Sequence, residues 1–268
     1  MVPAAAEMEL LVETREGVLL LTLNRPQVLN SLTDAMLRSL LDALRGAERD
    51  PGIRAVVLAA SGRAFCAGAD LGRLVESYRP GTAPSLGAEL TEKFNPLVLQ
   101  LRRMEKPAIA AVNGVAAGAG ASLALACDIR LCAPEAKFIA AFISVGLAPD
   151  SGITHLFAHR LGLGPALERC WTAEPITAEE ALGFGLVNRV LPASELKAAA
   201  LALAGRIAKM PPRAVALTKR SFNRALESSF EGHLEYEAQL QEVLGRTKDH
   251  LEGVRAFLER RTPVFTGE

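Results

Sequence analysis

The chain has 268 residues, enough for one large domain or a domain with a small appendage, and half of them are hydrophobic, so a sizeable core can form. Lys plus Arg and Asp plus Glu each total 30, which leaves no net electrostatic pull toward nucleic acid or an acidic membrane surface. Four cysteines without C-x-x-C spacing, no Lys or Arg from Met1 to Leu11 and no long apolar run predict reduced thiols, a cytoplasmic location and no membrane span.

In chain order, residues 8–14 and 18–23 read as strands around Arg15-Glu16-Gly17, a hairpin signal. Thr33-Asp34 opens an amphipathic helix carrying Met36, Leu37, Leu40, Leu41 and Leu44, which ends near Asp50-Pro51-Gly52. Residues 55–60 form a buried strand, residues 78–86 a loop rich in Pro and Gly, and residues 88–104 a helix stopped by Lys106-Pro107. A buried strand at 108–112, a short helix from Ala119 or Gly120 and a strand at 129–132 follow, and 138–145 is apolar and β-leaning. After Pro192 the strand signals stop, and residues 194–209, 213–226, 230–244 and 248–260 read as helices. Alternating strands and helices predict an α/β protein.

Two segments carry the chemistry: Arg63-Ala64-Phe65-Cys66-Ala67-Gly68-Ala69-Asp70-Leu71 and Val112-Asn113-Gly114-Val115-Ala116-Ala117-Gly118-Ala119-Gly120-Ala121. Each places glycines and small residues where an apolar strand ends and a helix can begin. There a ligand can approach bare backbone and meet unpaired N–H groups. Two such loops can aim two donors at one oxygen. Each taken alone is equally a tight turn that needs Gly for steric reasons.

Both segments resemble the signature of the crotonase superfamily, the enoyl-CoA hydratase/isomerase group. Asn24 to Leu32, Cys127-Asp128-Ile129-Arg130 and Ala178 to Asn188 resemble further family segments in the same order, so the likeness runs over residues 10 to 265. It implies repeated β-β-α turns wound into a superhelix over residues 1–192, with a C-terminal helical trimerisation region at 193–268 and a homotrimer or dimer of trimers. The apolar stripes of the last helices, read alone, are also compatible with ordinary core. The resemblance further implies an acyl-CoA substrate, so that coenzyme A enters with the substrate and no separate cofactor or metal is expected. The implied oxyanion donors are the Ala69 and Ala119 N–H groups, and Ala67, Ala69, Asp70, Leu71, Gly72 and Ala119 would hold the coenzyme A portion. Asp70 could instead be a helix cap, and Arg25 and Arg73 are phosphate candidates that could equally be surface arginines.

Hydratases of the family use two glutamates, which would fall at positions 122 and 142. Here they are Ser122 and Phe142, and neither can act as a carboxylate base. With Ile143, they are expected to line the acyl pocket. Asp150, within a segment resembling that of the family's ring-epoxide phenylacetyl-CoA isomerases, supplies a carboxylate that could shuttle a proton. Its competing reading is an N-cap for the helix after Ser151-Gly152. The expected activity is an acyl-CoA isomerisation, of a ring-epoxide phenylacetyl-CoA or of a Δ3-enoyl-CoA. A pseudoenzyme that only binds coenzyme A would equally lack both glutamates. Dehalogenation would require a Trp at 142 and a His within 89–106, and neither is present. His155 and His159 lie four apart without a third ligand and read as a surface helix, and Cys66 reads as a buried thiol.

Overall fold

The chain deals its strands alternately to two sheets. A computed structural model describes residues 8–78 and 83–268, with the side chains of all but Arg73, Glu76 and Ser77. The Arg73 side chain and residues 79–82 of the expected 78–86 loop therefore lie outside the described residues.

Strands β1 (Leu10–Arg15) and β2 (Val18–Leu23) form the expected hairpin, and α1 (Asp34–Arg49) starts at Thr33, whose hydroxyl accepts the Met36 N–H. Next come β3 (Ala55–Ala60), β4 (Ala64–Cys66) and α2 (Leu71–Ser77). Helices α3 (Leu86–Glu89) and α4 (Asn95–Arg103) are joined by a π turn at Leu90–Phe94. The single helix expected there contains Pro96, which has no N–H to donate and crowds the carbonyl four residues back; the wider turn accommodates it. The chain continues through β5 (Ala108–Val112), β6 (Val115–Ala117), α5 (Ala119–Ala126), β7 (Ile129–Cys132) and β8 (Lys137–Ile139). Helices α6 (Ile153–Leu161) and α7 (Leu163–Thr172) precede β9 (Ile176–Thr177), α8 (Ala178–Gly183) and β10 (Arg189–Val190). Four helices close the chain: α9 (Ala193–Ala208), α10 (Pro212–Ala225), α11 (Phe230–Leu244) and α12 (Lys248–Glu259).

One sheet has the order β1-β2-β3-β5-β7-β10 and the other β4-β6-β8-β9. The consecutive pairs β3/β4, β5/β6 and β7/β8 each give one strand to each sheet before a helix follows. This is the spiral of β-β-α turns, with all pairings parallel except the two outer ones, β1/β2 and β8/β9. Strands β3 and β5 read as continuous apolar runs, and β2 as one broken only by Thr22, because both faces are covered. Leu19, Leu21, Leu23, Val56, Leu58, Ala110 and Val112 face one core with α1, α4 and α5. Leu20, Val57, Ile109 and Leu131 face the other, closed by Leu196, Ala200, Ala204 and Ala208 of α9.

One expectation changes here. Residues 138–145 are not one strand: β8 ends at Ile139, and Ala141–Val145 form a 3-10 turn. An apolar run carries no periodicity that separates these outcomes. The helices after residue 192 differ in what they touch. α9 shares the outer core of the sheet, and α10 is pinned by Lys219, whose ammonium lies 2.8 Å from the Asp128 carboxylate and also donates to the Leu101 carbonyl. Of these four helices, α10 to α12 present large exposed apolar side chains, such as Phe222, Phe230, Leu234, Phe257 and Leu258.

The C-terminal tail is strapped down. The buried Asp249 carboxylate accepts the Thr266 and Gly267 N–H groups at 2.8 and 2.9 Å, and Arg54, just before β3, donates to the Phe265 carbonyl at 3.0 Å.

Candidate active site

The two glycine loops meet where β4 and β6 end side by side. Gly120, in the first turn of α5, lies so close to β4 that a Cβ there would stand 2.3 Å from the Cys66 carbonyl oxygen. At Gly68 (φ +98°) a Cβ would stand 2.9 Å from the Ala117 oxygen and 3.5 Å from the Ala119 nitrogen. Gly118 takes φ 51°, ψ −127°, which side-chain-bearing residues rarely adopt. These glycines therefore bring the backbones of residues 66–69 and 117–120 into contact.

That contact leaves two amides free. Leu32 pairs with residue 69 as a parallel bridge, using the Gly68 carbonyl and the Asp70 N–H, so the Ala69 N–H is not used. Ala119 is the first residue of α5, where helix N–H groups have no intrahelical acceptor. Among the described residues neither amide has a hydrogen-bond partner. Ala119 stands at the positive end of α5, and the two amides are candidate donors to an oxygen carrying negative charge.

The loop from β2 to α1 is bolted against this frame. Asn30 is fully buried, donates 2.9 Å hydrogen bonds to the Ser61 and Ala64 carbonyls, and accepts the Arg25 N–H at 2.8 Å. Arg25 pairs with Asp70 at 3.0 Å and with Glu9 at 3.3 Å. Asp70 occupies the N-cap position of α2, but its carboxylate makes no cap hydrogen bond and holds Arg25 instead. Arg25, in turn, is spent within the protein rather than held open for a phosphate. Leu71 and Gly72 begin α2 with their surfaces exposed, next to the loop.

Ser122 sits one turn into α5, fully buried. Its hydroxyl lies 3.4 Å from both the Gly118 and the Asp150 carbonyl oxygens, and so bridges the oxyanion loop to the acidic segment. Phe142 is buried, with its ring edge over Gly118. Ile143, expected beside it, is largely exposed in the 3-10 turn. The structure thus gathers Ala69, Ala119, Ser122, Phe142 and Asp150 at one place.

Asp150 is half-buried, and burial pushes its carboxyl above the usual range; a hydrogen bond from the Ser151 hydroxyl partly opposes this. Its expected alternative as a helix cap is not what the structure shows. The residue capping α6 is Gly152, without a side-chain cap, and the Asp150 carboxylate accepts the Ser151 hydroxyl at 2.8 Å. Sequence reasoning assigned Ser151 no role. It has φ +51° and is buried, and no sequence pattern announces a serine in the left-handed region.

Cys66 is fully buried with its thiol pushed up to about 12 by desolvation, so it is an inert packing group. His155 and His159 meet edge to face on the exposed side of α6, with ring centroids 4.4 Å apart. Among the described residues no cluster of three or more His, Cys, Asp or Glu is placed to hold a metal ion, and no helix is long and apolar enough to cross a membrane.

A β-β-α spiral with paired free amides at the start of α5 and a half-buried carboxylate nearby defines an enzyme of the crotonase class. The chain belongs to the enoyl-CoA hydratase/isomerase family, whose description matches residues 13–268. It is 42% identical over 260 residues to the 1,2-epoxyphenylacetyl-CoA isomerase of Escherichia coli K12, covering 97% of this chain and 98% of that one. It is also 42% identical over 257 residues to a probable enoyl-CoA hydratase of Rhodobacter capsulatus, covering 95% and 96%. The crystal structure of a putative enoyl-CoA hydratase/isomerase from Mycobacterium abscessus superposes with a TM-score of 0.92 at 35% identity, over 97% of this chain and all of that one.

Proposed function

We propose that the protein is an acyl-CoA isomerase in which Asp150 moves a proton while the Ala69 and Ala119 amides hold a thioester enolate. The observation that carries this reading is the carboxyl placement. The positions of both hydratase glutamates hold Ser122 and Phe142, and the carboxyl beside them is that of Asp150, whose main-chain carbonyl Ser122 bonds and whose pKa burial raises. A carboxylate takes a proton from the carbon next to the thioester, and the electron pair moves onto the thioester oxygen. The two amides stabilise that charge, and the same carboxylic acid returns the proton elsewhere. No water is consumed, so one carboxyl group suffices. The favoured substrate is 2-(1,2-epoxy-1,2-dihydrophenyl)acetyl-CoA, supported by likeness to the E. coli isomerase and by a pocket wall of Phe142. A Δ3-enoyl-CoA, moved to the Δ2 form, is the second reading, since the same proton transfer serves it.

The coenzyme A portion is proposed to run along the backbone of residues 67–72, entering with the substrate. The exposed apolar faces of α10 to α12 support a homotrimer or dimer of trimers; a monomeric mass by light scattering at micromolar concentration would count against it.

The test is Asp150→Asn, assayed for loss of the aromatic epoxide and for double-bond migration. The rate is expected to fall by on the order of 10² to 10⁴ while acyl-CoA binding persists. Folded, acyl-CoA-binding Asp150→Asn protein with wild-type turnover would remove Asp150 from the mechanism. Wild-type protein that binds acyl-CoA but turns over no substrate of the panel would instead mark a binding protein. Fast crotonyl-CoA hydration that survives the substitution would mark a hydratase.

A further inference from the structure

We infer that Ser151 is a positioning residue for the proton transfer: its hydroxyl holds the Asp150 carboxylate in its working orientation, and its backbone is kept in an unfavourable conformation to do so. The inference rests on the reading of Asp150 as the proton carrier.

The geometry supports it in three ways. The Ser151 hydroxyl donates to Asp150 Oδ1 at 2.8 Å, a normal strong hydrogen bond to a carboxylate. The serine is buried although nothing in its own chemistry requires burial. Its φ of +51° lies in the left-handed region, where the following Gly152 (φ +82°) sits without penalty. A glycine at 151 would suit this backbone better than serine does. Strain of this kind persists where the surrounding structure over-determines it, and it clusters at functional sites.

The segment is otherwise well held. Ser122 of α5 bonds the Asp150 carbonyl, the Ile153 N–H bonds the same carbonyl at 3.2 Å, and Val98 of α4 packs against Gly152. These contacts fix the backbone of residue 150 but leave its carboxylate to Ser151. From the elements packed here the neutral Ser122 meets Asp150, and Val98 meets the neighbouring Gly152. Burial and the Ser151 hydroxyl are the two influences on its carboxyl, and no charged side chain is among them.

The experiment compares Ser151→Gly and Ser151→Ala with the wild type and with Asp150→Asn, on the substrate that the wild type turns over. Both serine variants lose the hydroxyl, but only glycine gains backbone freedom. Both are expected to lose kcat by on the order of 10- to 100-fold with KM little changed. Both should also move the acid limb of the kcat/KM profile to higher pH, because the hydroxyl's stabilisation of the anion is gone. Ser151→Gly should melt at or above the wild-type temperature, which separates the loss of rate from loss of fold; if either variant fails to fold, the other carries the measurement. Wild-type kcat and an unmoved acid limb, with Asp150→Asn inactive, would overturn the role of Ser151 and leave Asp150 in place. A lower kcat without movement of the limb would also overturn it. Wild-type turnover by Asp150→Asn would remove both readings together.

Discussion

Gly120→Ala puts the interlock of the two loops under direct load. The added Cβ would stand 2.3 Å from the Cys66 oxygen and 2.8 Å from the Cys66 carbonyl carbon and Cβ. These are mostly backbone atoms of a buried strand and cannot swing aside. Ordinary contact begins near 3.4 Å, so α5 and β4 must part by about 1 Å. Overpacking of this kind costs about 1–3 kcal/mol, here toward the upper end. Alanine recovers about 1 kcal/mol over glycine within a helix. The net loss is about 2 kcal/mol, which lowers the melting temperature of a chain this size by roughly 4–8 °C. The displacement also falls between the Ala119 and Ala69 amides. A 1 Å misplacement of catalytic groups costs on the order of 10² in rate, so kcat should fall much further than stability. Gly46→Ala is the control, since α1 offers nothing within 4 Å of the new methyl, and it should stabilise by about 1 kcal/mol. Melting curves and steady-state isomerase kinetics on the three proteins decide the matter. Gly120→Ala with wild-type melting temperature and turnover would refute the interlock.

Two further outcomes follow from the electrostatics and the tail. The Asp150 carboxyl is raised in the folded state, so its contribution to stability is fully present below the unfolded value and is lost as pH rises through the folded one. Asp150→Asn should therefore melt higher than the wild type at pH 7 and lose that advantage by pH 4; an equal gap at both pH values would contradict this. Asp249→Ala removes the acceptor of two tail N–H groups and should cost about 2–4 kcal/mol. It should also expose residues 262–268 to carboxypeptidase, and a tail as resistant as the wild type's would contradict the strap.

The larger sheet was legible because its strands are buried on both faces. Residues 55–60 and 108–112 are unbroken apolar runs, 129–132 is one broken only by the buried Arg130, and they become β3, β5 and β7 with those limits. The smaller sheet was not legible. β4, β6 and β8 have three residues each, too few for a period to register. Of the site, glycine spacing marked the two loops, because only glycine lets two backbones approach so closely, and resemblance named Ala69 and Ala119 within them. Ser122, Phe142 and Asp150 were located by resemblance, not by pattern. The pairing of Asp70 with Arg25 spans 45 residues of chain and has no local signal. The left-handed Ser151 had none either, since its conformation is imposed by its neighbours.

The two free amides belong to the main chain, and this has an evolutionary consequence. Apart from proline, no codon change deletes a main-chain N–H; substitution can only displace it. The side chains at 122, 142 and 150 stand on three separate elements, and none of them is among the glycines that force the loops together. Chemical identity and scaffold are thus written at different positions. Variation at 122, 142, 150 and 151 can redistribute acids and bases around a fixed anion seat, whereas variation at 68, 114 and 120 meets backbone at once. A combinatorial library confined to the first set would sample reactions while leaving the scaffold unsampled, and inheritance can follow the same route.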